Sequence, residues 1–97
     1  MEFEWDLSKE AMNIRTHGVT FSEAMEAFFD LNGFQLVDRK HSHGEKRFYW
    51  VGQLATGRVL TTWFTKRGGK IRIIGSAEWR KFRRLYHETA KAQSSQD

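Results

Sequence analysis

No cysteine occurs among the 97 residues, which excludes disulfides, zinc–thiolate centres and a catalytic thiol. That fits a reducing compartment, and the cytoplasm is the expected location. No apolar stretch approaches the roughly 20 residues that cross a bilayer, and Met1-Glu-Phe-Glu-Trp-Asp6 lacks the basic start and apolar run of a secretory signal. The expectation is a protein that is neither exported nor membrane-bound. Internal repeats and low-complexity segments are absent too. One domain over residues 1–92, large enough for a single two-layer core, with a disordered tail over 93–97, accounts for the chain.

What is present is charge, sorted along the chain. Sixteen Lys and Arg stand against twelve Asp and Glu, a net +4. Ahead of Val37 there are two basic residues, Lys9 and Arg15, and seven acidic ones; from Asp38 onward there are fourteen basic and five acidic. Such a basic remainder favours a polyanion or an acidic protein as partner. Aromatic residues make up 14% of the chain, tryptophan among them four times, more than a disordered basic tail carries. The basic part is therefore folded.

Its centre is the stretch Gly57–Gly75. Two runs of β-branched and aromatic residues flank Gly68-Gly69, which predicts a hairpin with a tight two-residue turn. Upstream, Glu2–Trp5 alternates as a short strand and Asp6 is placed to cap a helix with Leu7, Ala11 and Ile14 on one stripe, closed at Gly18. Thr20-Phe-Ser-Glu23 matches a capping box opening a second helix to about Asp30. Phe34–Val37 and Arg47–Leu54 are expected strands around a polar loop. Ser76 is placed to cap a last helix over about 77–92, with Trp79, Phe82, Tyr86 and Thr89 on one side and Arg80, Arg84, His87 and Lys91 on another. The predicted fold class is α+β: two N-terminal helices, an antiparallel β-sheet meander and a C-terminal helix. The helices are expected on one sheet face, leaving the other partly open. An open sheet face bearing arginines suits single-stranded RNA, whose bases stack on aromatics and whose phosphates meet cations.

Phe3-Glu-Trp-Asp6, Lys9, Asn13, His17-Gly18-Val19, Phe21-Ser-Glu-Ala24, His41-Ser-His-Gly-Glu45, Arg47-Phe48, Thr65-Lys-Arg-Gly68 and Ile71-Arg-Ile-Ile74, in this order and spacing, resemble the BrnT toxins of bacterial type II toxin–antitoxin pairs. The resemblance covers residues 2 to about 88. It implies a RelE-like endoribonuclease, similar to an mRNA interferase, that cleaves RNA. It implies as partner a BrnA-type antitoxin, a ribbon-helix-helix protein that neutralises the toxin, contacts operator DNA on behalf of both and forms a heterotetramer with it. The chain departs from the family at Gly75-Ser-Ala-Glu-Trp-Arg80, where many members have Ser-Ala-Arg directly after the isoleucines.

Metal-free RNA cleavage uses the neighbouring 2′-hydroxyl as nucleophile, so a protein must take its proton, stabilise charge on phosphorus and protonate the leaving oxygen. His17 and Glu45 are the candidate proton acceptors. Arg47, Arg67 and Arg72 are candidates for gripping the phosphate with forked guanidinium groups. Lys66, Lys70 and Arg80 are candidates for flanking phosphates, and Tyr86 for orienting RNA. Each has a structural rival: His17 sits where a helix C-terminus attracts a donor, Glu45 and Arg47 suit a local ion pair, and Arg67 is placed as a turn residue. Arg72, mid-strand between isoleucines, needs a partner whichever reading holds. Tyr49 or Trp50 is free for base stacking if exposed, because strand neighbours face opposite ways. His41-Ser-His43 offers two metal ligands with no third at useful spacing, so neither metal nor cofactor is expected. The alternative to the enzyme is a non-catalytic RNA-binding or protein-interaction module built on the same basic sheet.

Overall fold

Asp6 ends the first strand, β1 (Glu2–Trp5), and caps the helix after it, its Oδ1 accepting from the N–H groups of Ser8 and Lys9 at 2.8 and 3.1 Å. That helix, α1 (Leu7–His17), closes on Gly18 in the left-handed region. Thr20 and Glu23 form the expected capping box at the start of α2 (Phe21–Ala27). The computed structural model describes residues 1–94 and continues with β2 (Phe34–Val37), β3 (Arg47–Gln53), β4 (Val59–Arg67), β5 (Lys70–Ala77) and α3 (Arg80–Ser94). The last helix thus extends through Gln93 and Ser94, where a tail was expected; residues 95–97 of that tail lie outside the described residues.

The strands form one sheet in the order β1-β5-β4-β3-β2. From β2 to β5 it is the expected antiparallel meander, with Gly68 and Gly69 at φ 56° and 81° supplying the two left-handed residues of the β4–β5 turn. β1, however, lies parallel to β5, from Glu2 opposite Lys70 to Trp5 opposite Ile73, so the sheet is mixed. Between Phe64 and Trp63 the register slips by one residue on β5, a bulge at Ile74.

One face carries Phe3, Trp5, Phe48, Trp50, Phe64, Ile71 and Ile73 against Phe21 and Ala24 of the second helix and Phe28, which caps its end. The other face is not left to the solvent as expected. Val51, Val59, Tyr49 and Trp63 point to it, and α3 crosses it with Trp79, Phe82 and Tyr86. Strands apolar on both faces need cover on both, and the second helix covers only one. Because α3 lies over the half of the face nearest Val51 and Val59, the half nearest the Gly68-Gly69 turn remains uncovered.

Two sequence expectations change with this packing. The stripe Leu7, Ala11, Ile14 faces solvent, and the residue α1 buries is Asn13. Ser76 is not a helix cap but a buried residue of β5, its hydroxyl 2.9 Å from that of Thr62 and its backbone bonded to Asn13. At Gly75 no side chain fits, because the Trp63 indole lies where a β-carbon would stand, 2.1 Å from the nearest ring atom.

Candidate active site

Alternation along the strands sends Arg47, Thr65 and Arg72 to the same face, and the register makes them neighbours: Arg47 is opposite Thr65, Thr65 opposite Arg72, and Arg72 opposite Glu4. Asp38, whose N–H donates to the carbonyl of Arg47 at 2.8 Å, extends this rung beyond β2. The order across the sheet is Asp38, Arg47, Thr65, Arg72, Glu4. With strands about 4.8 Å apart, the two arginine backbones stand about 10 Å from each other, a span that two long side chains close around one phosphodiester. A second rung, two residues nearer the turn, holds Arg67 opposite Lys70 and Lys70 opposite Glu2.

Every cation of these rungs has a carboxylate. Arg72 Nη1 donates to Glu4 Oε2 at 2.6 Å, and both groups are about two-thirds buried. Arg67 makes a two-pronged contact with Glu45, Nε and Nη2 donating at 2.9 and 3.0 Å. Arg47 Nε stands 3.5 Å from Asp38 Oδ2, and Lys70 Nζ 4.0 Å from Glu2. Arg67 above all, with Arg72 adding its field, holds the Glu45 carboxyl below its ordinary value. Four carboxylates therefore offset four cations, and the patch is close to neutral. Within it Arg47 Nε and the Thr65 hydroxyl are buried without a hydrogen-bond partner among the described residues. Buried polar atoms in this state are rare, and here two of them occupy adjacent positions of one rung.

Asp38 is the least accessible of the carboxylates, 4% exposed. Burial opposes its charge, but hydrogen bonds from His41 and Tyr49 outweigh burial and hold it below the usual carboxylate range. His41 Nδ1 lies 3.1 and 3.0 Å from the two oxygens, with the His41 N–H at 3.3 Å. The Ser42 hydroxyl braces the loop, donating to Asp38 O at 2.6 Å and accepting from Arg47 N at 2.9 Å.

The structure thus brings together Arg47, Arg67, Arg72, Lys70 and Glu45 of the residues singled out in sequence. It leaves the others apart. His17 stands edge-on to Trp63 in a pocket of about 260 Å³ with Lys9, Met12, Asn13, Thr16 and Ile74, a lining that includes no arginine. Lys66 points to the opposite face, its Nζ 4.6 Å from the Phe48 ring. Arg80 opens α3 beside Trp79, whose indole lies on Trp63, and has no ion pair among the described residues. Neither Tyr49 nor Trp50 is a free stacking platform. Tyr49 packs on Trp79 and Phe82, and Trp50 stacks on Phe28 with its Nε1 donating to Ala27 O. Sequence reasoning passed over Asp38 and Thr65; the only trace of Asp38 was its place three residues before His41.

Tyr86 is corrected outright from an RNA-orienting residue to a core one: it is 3% exposed among Val51 and Val59, its hydroxyl donating to Asp30 Oδ2 at 2.5 Å. Burial first, then Asp30, pushes that hydroxyl up to about 12 from 10.0. The raised folded value means that its stabilisation is complete below pH 10.0 and lost as pH rises toward about 12. Tyr86→Phe is expected to lower unfolding free energy by about 1–2 kcal/mol and to remove that alkaline loss, while leaving RNA chemistry unchanged. Urea titrations at neutral and alkaline pH measure both.

The fold and the two rungs define a class first: a small α+β protein with carboxylate-paired arginines on the uncovered half of a five-stranded mixed sheet, suited to an anionic ligand. The family model of BrnT, the ribonuclease toxin of a type II toxin–antitoxin system, matches residues 5–82, and the chain belongs to that family. The fold is similar to that in the crystal structure of the Brucella abortus ribonuclease toxin BrnT, with a TM-score of 0.66, 21% identity, and coverage of 81% of this chain and 96% of that one. No curated protein sequence matches.

Proposed function

We propose that the protein is a RelE-like endoribonuclease, an mRNA interferase that acts in the cytoplasm and cuts RNA without a metal ion by attack of the 2′-hydroxyl on the adjacent phosphorus. The observation that carries this reading is the rung Arg47-Thr65-Arg72, in which Arg47 Nε and the Thr65 hydroxyl are buried without a hydrogen-bond partner among the described residues. An RNA phosphate entering there exchanges the carboxylates for its own charge, and the guanidinium groups follow the oxygens as a fifth ligand forms on phosphorus. Arg67, two residues along the same strand as Thr65, serves the next phosphate or the same one.

The near-neutral rungs supply little long-range attraction. That falls to α3, where Arg80, Arg83, Arg84 and Lys91 are exposed and without ion pairs among the described residues. Steering by one element and chemistry at another agree with the salt-sensitive approach of polyanions. In this proposal the same cationic helix receives the acidic part of a BrnA-type ribbon-helix-helix antitoxin. Toxin and antitoxin assemble as a heterotetramer, with operator DNA touched only through the antitoxin.

The test is incubation of purified protein with bulk RNA in excess chelator. Shortened products ending in 2′,3′-cyclic phosphate and 5′-hydroxyl groups are expected. RNA that is retained in a gel shift, released by salt and recovered intact would instead support the non-catalytic binding module.

A further inference from the structure

We infer that His41, oriented by Asp38, is the proton acceptor of this site, an inference that rests on the ribonuclease reading above. The Asp38 carboxylate is buried, lies on the arginine rung, and meets His41 Nδ1 with both oxygens at 3.1 and 3.0 Å. A carboxylate on Nδ1 keeps the hydrogen there and leaves the lone pair on Nε2. Nε2 has no partner among the described residues, and the side chain is 48% exposed. The groups facing the ring are Asp38 and, on the same carboxylate, Arg47 and Tyr49. One buried carboxylate therefore holds both a ring with an open acceptor nitrogen and a phosphate-binding guanidinium. The loop is also braced in this form by Ser42, which ties Asp38 O to Arg47 N.

The other candidates lack this arrangement. Glu45 gives both oxygens to Arg67. His17 packs edge-on against Trp63 in a pocket whose lining has neither a carboxylate nor an arginine. His43 is exposed, and no carboxylate orients it among the described residues.

In the reaction the 2′-oxygen forms a bond to phosphorus while its proton passes to His41 Nε2, and the bond from phosphorus to the 5′-oxygen breaks. The 5′-oxygen takes a proton from solvent water, and the imidazolium returns its own to the hydroxide so formed. Asp38 stays ionised throughout and offsets the transient positive charge on the ring.

Two substitutions at this position separate proton transfer from support of the loop. His41→Asn places an amide nitrogen where Nδ1 stood and keeps the bond to Asp38, but has no Nε2; His41→Ala removes both. Cleavage by both is expected to slow about 100-fold or more, the usual weight of a general base, with binding of fluorescent RNA unchanged and added imidazole restoring part of the His41→Ala rate. His41→Asn cutting at the wild-type rate would reduce the ring to a brace and overturn the assignment. Wild-type and both variants cutting equally overturns it alone, whereas wild-type protein that leaves RNA intact overturns the ribonuclease reading and this assignment together.

Discussion

Arg72→Ala is expected to slow RNA cleavage by about 10²–10³-fold, the cost of removing one donor to the developing charge of a transition state. Arg72 is the one basic residue of β5 apart from Lys70 at its start, and its neighbours Ile71 and Ile73 are committed to the face covered by the second helix. Its guanidinium is presented to the same face as Arg47 across Thr65 and is held by Glu4 at 2.6 Å. Under the proposed mechanism, alanine there removes a phosphate donor and also leaves the Glu4 carboxylate facing the substrate with its charge unopposed. Arg72→Ala with Glu4→Gln is therefore expected to recover part of the loss, and Arg72→Lys to keep the charge but lose the fork, with an intermediate rate. The fold should survive, since leaving the partly buried Glu4 carboxylate without this partner costs about 1–3 kcal/mol, less than the about 5–15 kcal/mol that holds a domain of this size together. Single-turnover cleavage with circular dichroism on each variant measures the effect. A folded Arg72→Ala protein with undiminished cutting would remove this residue from the mechanism.

Asn13→Ala is expected to cost about 3 kcal/mol, from three buried backbone groups left without partners at roughly 1 kcal/mol each. β1 stops pairing at Trp5 opposite Ile73, which leaves the following part of β5 without a strand on that side. The Asn13 amide takes the strand's place: Nδ2 donates to Ser76 O at 2.9 Å, and Oδ1 accepts from Ser76 N at 3.0 Å, as a peptide group would. The same Nδ2 donates to Val19 O at 2.9 Å, tying in the turn between the first two helices. A domain of this size has only about 5–15 kcal/mol in total, so a fall of about 15 °C in Tm is expected. Asn13→Asp should be worse, because it sets an acceptor against two carbonyls inside a buried site. Urea and thermal unfolding decide it; a loss under about 1 kcal/mol would mean that solvent or a shifted α1 satisfies Ser76.

Local devices were legible from neighbouring residues because they close within a few positions. The Asp6 cap, the Thr20–Glu23 capping box and the Gly68-Gly69 turn each draw on contacts three or four residues long. Half of the arginine rung was within reach too. A two-residue turn that pairs Arg67 with Lys70 necessarily sets Thr65 opposite Arg72. Arg47 was a harder case, since its place depends on how many residues the β3–β4 connection takes up, and a slip of one would send it to the other face. Lys66 shows the same rule from the other side: one residue from Arg67, it ends up stacked on Phe48.

The amino-acid order by itself determined the α+β class, the hairpin at the centre, the starts of the first two helices and the presence of arginines on strands, because propensity, capping and alternation act over short separations. Tertiary structure alone decided that β1 runs parallel beside β5, that α3 covers half of the second face, that each arginine of the two rungs meets a carboxylate, and that Asp38 holds His41 beside Arg47. The partners in these contacts are joined by register and packing rather than by nearness along the chain. Glu4 and Arg72 are 68 positions apart, and only the folding of the sheet brings them within 2.6 Å.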